Sequence, residues 1–273
     1  MHRLTQAIIR TRLTSGQTDV TQAQAVDLLR ASHPASTKLP SSWPEWARLL
    51  PHLLALDPDT NTQELASLSN SAAWYLIRRG LPRDAERLAR RLYQNHLAQH
   101  GPDATPTLNT ANILAVALDE QRRHSEAREL DEDTLARRRR VLGEDHPDTL
   151  ISANNLALRL AGLGENQAAR ELDEDTLARR RRVLGDDHPQ TLSTANNLAS
   201  RLAESGEHQA ARMMNEDTLA RFRRVLGEDH PDTLISASNL ASRLAGLGEY
   251  QAARELDEDT LARRRRVLGD RPP

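Results

Sequence analysis

Three histidines, His146, His188 and His230, recur every 42 residues, each preceded by two acidic residues and followed by proline. Imidazoles beside carboxylates are the usual materials of a zinc site or an acid-base pair, so metal binding and proton transfer are the chemistries to weigh first. The spacing argues against both. Positions related by a structural period sit on successive packed helices about 10 Å apart, whereas one zinc ion holds its ligands at about 2 Å. A catalytic pair is needed once, yet Glu144 and Asp145 have counterparts in each copy. A His-Pro step does suit a helix N-terminus, where an N-cap acceptor (His146 or Asp145) precedes a proline whose missing N–H costs nothing. No cysteine is present, and Gly-x-Ser-x-Gly, His-Glu-x-x-His and phosphate-loop sequences are absent. No catalytic residue, metal or cofactor is expected, and the chain reads as a non-enzyme.

The arginine runs Arg137–Arg140 and Arg263–Arg266 invite a nucleic-acid reading. Four consecutive helical residues point all around the axis, however, so a run is not a stripe. With 37 basic and 39 acidic side chains the net charge is -2, which gives no general attraction to nucleic acid or to an anionic membrane. Nucleic acid is therefore a disfavoured partner. The segment Met1–Arg10 has no apolar signal region and no stretch is long enough to span a bilayer, so a cytoplasmic location is expected.

The elements that position these residues follow from the repeat. Gly143, Gly185, Gly227 and Gly269 mark the same period as the histidines, and each copy reads as two helices. The first begins at His-Pro, carries an apolar stripe of Leu150, Ala153, Leu156, Ala157 and Leu160, and stops at Gly164. The second begins near Asn166, carries Ala169, Leu172, Thr176, Leu177 and Leu184, and ends at Gly185, expected as a left-handed C-terminal cap. Asp133 with Arg137, Asp175 with Arg179, Asp217 with Arg221 and Asp259 with Arg263 are i,i+4 pairs worth about 0.3 kcal/mol each. Weaker copies occupy residues 101–142 and 62–100, the latter turning at Gly80-Leu81-Pro82, which makes five helix pairs. The expected fold is all-α, a right-handed α-solenoid over residues 57–273. Residues 1–56 are expected to form a helical N-terminal segment: two short amphipathic helices, a Pro- and Ser-rich stretch from Ser32 to Pro44, and a helix from about Glu45 to Leu56.

The phrase Asn-Asn-Leu-Ala, Gly, Ala-Ala-Arg, Leu-Gly-(Glu/Asp)-Asp-His-Pro resembles the long tetratricopeptide repeat of kinesin light chains and of many actinobacterial proteins, over roughly residues 62–269. The segments His2-Arg3-Leu4-x-Gln6-Ala7 and Trp43-Pro44-Glu45-Trp46 resemble the junction between the winged helix of NB-ARC (STAND) signalling ATPases and their C-terminal repeats. No Gly-x-x-x-x-Gly-Lys-Ser/Thr sequence occurs, so the nucleotide-binding module of that family is not in this chain. The resemblance implies a scaffold that binds a protein or peptide, the sensor or adaptor part of such a signalling or defence system.

The copies at 143–184 and 227–268 differ only at Asn154 against Ser238, Leu158 against Ser242 and Asn166 against Tyr250. The first two pairs lie one helical turn apart, on the face that lines the groove of tetratricopeptide repeats. Changes on that face while the packing residues stay fixed suggest a groove altered for recognition, with chance drift at exposed positions as the other reading. A groove would then be lined by Asn70, Asn112, Asn154, Asn196 and Ser238, with Trp74, Val116, Leu158, Ser200 and Ser242 one turn on. Similar asparagines in kinesin light chains contact cargo peptides, which is what the resemblance implies here; the other role open to them is to bond neighbouring helices within the stack. Asn166, His208 and Tyr250 share the inter-helix turn and are secondary candidates. Met213, Met214 and Phe222 replace Glu, Leu and Arg of the other copies. Met214 reads as core, while Met213 and Phe222 could be core or an adaptable apolar patch. Leu256, Leu261 and Val267 form an apolar flank, and a homo-oligomer through this end is the alternative reading.

Overall fold

In the computed structural model, residues 40–55 and 63–268 are described, with Pro34, Ser36 and Thr37. The two short helices expected in the first 33 residues, most of the Ser32–Pro44 stretch before its last residues, and Gly269 lie outside them. A 3-10 turn at Pro40–Ser42 is followed by α1 (Trp43–Ala55), α2 (Gln63–Arg78), α3 (Pro82–His100), α4 (Thr105–Asp119), α5 (His124–Leu142), α6 (Pro147–Gly162), α7 (Asn166–Leu184), α8 (Pro189–Glu204), α9 (His208–Leu226), α10 (Pro231–Gly246) and α11 (Tyr250–Leu268). No strand occurs among the described residues. The helices form two compact units, one ending at Arg123 and the other beginning at His124, and within each unit consecutive helices pack as the hairpins of an α-solenoid.

In the first unit α1 packs on α2. The buried Trp46 ring stacks on Tyr75 with centroids 5.9 Å apart, and its indole N–H donates to the Ser36 carbonyl at 3.1 Å. The Arg79 guanidinium lies 5.2 Å from the centre of the Trp43 ring. The Trp-Pro-Glu-Trp sequence thus ties α1 and the segment before it onto the first repeat.

In the second unit the starts of the first helices and the turns between helices have a chemical cause. His146, not Asp145, is the N-cap of α6: its Nδ1 accepts from the Asp148 N–H at 3.1 Å, and His188 and His230 do the same for Gln190 and Asp232 at 3.2 and 3.1 Å. At the other end Gly164, with φ +81, lets its own N–H reach the Ala161 carbonyl and that of Glu165 reach Leu160, the Schellman pattern. Gly185 differs from the expected left-handed cap. Its φ of 89 and ψ of 164 place it in an extended region essentially restricted to glycine, so the chain leaves α7 straight and enters the next His-Pro step.

The core explains why one hairpin could not stand alone. Leu135 of α5 packs with Ala153, Leu156 and Leu160 of α6 and Ala169 of α7. The same cluster recurs around Leu177 and around Leu219. Each is completed by the preceding second helix, so stability arises between repeats rather than within them. On the outside, the four i,i+4 Asp-Arg pairs form at 2.6 to 2.8 Å. Arg179, Arg221 and Arg263 each also reach the acidic turn that opens their own copy, meeting Asp145, Asp187 and Asp229 at 3.0 Å. The run Arg179–Arg182 divides accordingly. Arg179 and Arg182 pair with Asp145, Arg181 with Asp186, and Arg180 is buried, so no cationic stripe results.

Candidate functional site

In the second unit the first helices of neighbouring repeats, α6, α8 and α10, touch one another, whereas the second helices do so less. The first helices therefore form the inner side of the stack. Their surface is a stripe at helical spacing: Ile151, Asn155, Leu158 and Gly162 on α6; Ser193, Asn197, Ser200 and Glu204 on α8; Ile235, Asn239, Ser242 and Gly246 on α10. Leu158 and Ile235 expose 41% and 51% of their surface, and they flank the polar stripe of α8.

Of the residues singled out from sequence, Leu158, Ser200 and Ser242 lie on this face. The asparagine row does not. Asn196 is 5% exposed, and its side-chain oxygen accepts from Asn215 at 2.9 Å and from Ser236 at 3.2 Å, linking α8, α9 and α10. Asn154 accepts from Thr194 at 3.3 Å and Asn197 at 3.1 Å. The Ser238 hydroxyl accepts from Arg264 at 3.0 Å. In the first unit Asn70 accepts from Thr110 at 3.2 Å, Asn112 is 6% exposed, and Trp74 and Val116 are half-buried. The first Asn of each doublet is thus turned toward the neighbouring repeat, because one residue rotates a side chain by about 100° around the helix. Its successor, at 155, 197 and 239, is the one on the inner face. Among the described residues Asn155 and Asn239 have no side-chain partner. The doublet itself carried the signal: two adjacent residues cannot share one face, and Asn239 is kept where Asn154 has become Ser238.

Phe222 is 1% exposed and belongs to the core, which removes it from any partner surface. Met214 packs against the Leu177 cluster, and Met213, 62% exposed, lies on the opposite side of α9 from Ala211, Asn215 and Thr218. Asn166 is half-buried at the start of α7, while His208 and Tyr250 are exposed at the starts of α9 and α11.

Sequence reasoning also missed a buried charge pattern. Where Arg180 is replaced by Phe222, Asp173 is replaced by Asn215; where His96 stands, Ala89 precedes it by the same seven residues. A carboxylate is present in the interface only where the arginine is. Arg138 donates to the Asp148 carbonyl at 2.8 Å and the Ser152 hydroxyl at 2.9 Å. Arg180 donates to the Gln190 and Leu150 carbonyls at 2.8 and 3.0 Å and to Thr194 at 2.6 Å. Asp131 lies 3.3 Å from Arg159. Burial pushes the Asp173 carboxyl up to about 7, with Arg201 and Arg180 opposing, and pushes Arg180 down to about 10 against the pull of Asp173. No group of three or more His, Asp or Glu among the described residues could hold a metal ion.

A tetratricopeptide repeat model matches residues 107–148, 149–190, 191–232 and 233–273. The chain is similar to the crystal structure of a Podosopora anserina putative kinesin light chain with nearly identical TPR-like repeats, at 26% identity, TM-score 0.58, over 74% of this chain and 96% of that one. It shares the fold of BtubC from P. vanneervenii at 19% identity and TM-score 0.59, over 93% and 92% of the two chains. It also shares the fold of NprR in complex with its cognate peptide NprX, at 13% identity and TM-score 0.67, over 98% and 73%. No curated protein matches the chain. With four consecutive matches running over most of its length and the helix pairs seen in place, the chain belongs to the tetratricopeptide repeat family.

Proposed function

We propose that the chain is a non-enzymatic scaffold that binds an extended segment of a partner protein across the inner face of α6, α8 and α10. The observation that carries this is the row Asn155, Asn197 and Asn239, one carboxamide per first helix on that face. Packed helices are about 10 Å apart, and an extended chain advances about 3.3 Å per residue. A peptide crossing the three helices would therefore offer a backbone amide to each Asn at every third residue. Carboxamides both donate and accept, so they hold a backbone without dictating its sequence. Leu158 and Ile235 supply apolar contact on either side. The likeness in fold to NprR, solved with its peptide, is consistent with this use. A pull-down of partner proteins with Asn155, Asn197 and Asn239 all changed to Ala tests the reading. Loss of capture with an unchanged helical circular dichroism spectrum supports it, and unchanged capture rejects it.

The resemblance of residues 1–56 to the region after an NB-ARC winged helix favours a cytoplasmic sensor or adaptor in that kind of signalling or defence. No helix among the described residues is long and apolar enough to cross a membrane. A second reading rests on Leu261, which is 48% exposed on α11 where its counterpart Leu177 is 3% exposed. A second copy covering that flank would give a homo-oligomer. Light scattering of wild type and Leu261→Glu over a concentration series tests this: a mass that rises with concentration in the wild type and not in the variant supports a Leu261 contact, and a constant mass or the same rise in both rejects it.

A further inference from the structure

Arg243 in α10 is the counterpart of Arg159 in α6 and Arg201 in α8. Each earlier arginine meets a carboxylate. Arg159 Nε lies 3.3 Å from Asp131 Oδ2, and an Arg201 Nη donates to Glu204 Oε2 at 2.9 Å. Both acids are missing around Arg243. Asn215 holds the place of Asp131 and Asp173, and Gly246 holds the place of Glu204. Among the described residues the Arg243 side chain has no hydrogen bond or ion pair; its Nε is enclosed without a hydrogen bond, as are those of Arg159 and Arg201, so what sets it apart is the missing carboxylate. Arg159 and Arg201 are buried, while Arg243 is half-buried and keeps surface open to solvent. The Arg201–Glu204 contact shows where a guanidinium at this position reaches, which is the last turn of the inner stripe, here beside Ser242 and Gly246.

A guanidinium stays charged at any physiological pH, and a partly enclosed one without a counter-anion is a standing electrostatic cost that an external anion relieves. Its forked donors match a carboxylate in two parallel hydrogen bonds. We propose that Arg243 is a carboxylate-binding point at the α10 end of the inner face, taking an acidic side chain or the terminal carboxylate of the bound peptide. This rests on the peptide-binding reading above and gives the partner a chemistry: an acid placed where the peptide crosses α10.

The test uses an array of synthetic nine-residue peptides of random sequence, each with a free and an amidated C-terminus, probed with the full chain and three variants. Arg243→Gln removes the site. Gly246→Glu supplies the internal partner that Arg201 has, and an added Cβ there meets nothing within 4 Å. Met213→Glu, at a position 62% exposed on α9 where Glu171 and Glu255 stand in the neighbouring copies, adds the same charge away from the inner face and controls for general repulsion. Wild type and Met213→Glu are expected to retain acid-bearing peptides about tenfold better than neutral ones, with Arg243→Gln and Gly246→Glu losing that preference. All four should melt within a few degrees of one another. A preference that survives amidation assigns a side-chain acid, and one lost on amidation assigns the C-terminus. Peptides bound without acid preference, or the same preference in Arg243→Gln, or its loss in Met213→Glu, would overturn the Arg243 site and leave the peptide reading standing. No peptide retained by any form would overturn both.

Discussion

Asn196 and Ser236 lie 40 residues apart in the chain and 3.2 Å apart in space, the serine hydroxyl donating to the asparagine oxygen from the next repeat. Asn215 donates to the same oxygen, so one side chain fastens three helices. Its neighbour Asn197 is half-buried on the inner face. Asn197 also donates to Asn154 of the preceding repeat, at 3.1 Å, but unlike Asn196 it keeps part of its surface open on the inner face.

Replacing each by Ala should separate the two. Asn196→Ala leaves the buried Asn215 amide and Ser236 hydroxyl without an acceptor and is expected to cost about 1–3 kcal/mol in urea unfolding. Asn197→Ala is expected to stay within about 1 kcal/mol of wild type and to weaken capture of the partner. Equal destabilisation by both would mean that the Asn197–Asn154 bond holds the stack as strongly as the buried Asn196 does.

The buried Asp173 makes stability depend on pH. Burial raises its carboxyl from the ordinary 3.8 to about 7, against the opposing charges of Arg201 and Arg180. Between those values the folded chain holds a proton that the unfolded chain has released, so this group lowers stability as pH rises through that window. Asp173→Asn removes the dependence, and Asn215 shows that the position accommodates the amide. The melting temperature of the variant relative to wild type should climb from pH 4 to pH 7 and then level. Parallel curves would mean that the guanidiniums keep the carboxylate ionised.

The His-Pro steps should behave as caps and not as ligands. His188→Ala removes the acceptor for the Gln190 N–H and should cost about 1 kcal/mol, while His188→Asn should recover most of it. Added zinc should change neither melting temperature. A zinc-dependent rise lost in His188→Ala would contradict the capping role.

Because each core cluster spans two repeats, the same leucine should matter differently along the chain. Leu177→Ala, in a side chain 3% exposed, is expected to cost about 2–5 kcal/mol. Leu261→Ala, at 48% exposure, should cost under about 1 kcal/mol in urea unfolding. Similar losses at both sites would indicate that α11 is covered in solution.

Helix boundaries and the core were legible in the sequence because their causes are local. His-Pro opens a helix, Gly164 closes one, and the Leu and Ala stripe at 150, 153, 156, 157 and 160 marks the buried side, which is buried throughout. The phase of the binding face was harder to read, since 154 and 155 differ by one step of rotation and both are Asn. The choice depends on what the next repeat presents, here Thr194 to Asn154. The coupling of Asn215 to Phe222 also escaped notice, although both changes are visible seven residues apart, because only packing shows that the two positions enter the same interface. The conformation of Gly185 could not be told from a left-handed cap, since either demands glycine.

The side-chain amide resonances of the asparagines, followed by proton–nitrogen NMR while a peptide retained from the array is titrated in, report on the inner face residue by residue. Signals of Asn155, Asn197 and Asn239 should shift with saturation, and that of the buried Asn196 should stay nearly still. Shifts confined to residues of α7, α9 and α11, with those three unmoved, would place the ligand on the opposite surface and contradict the reading.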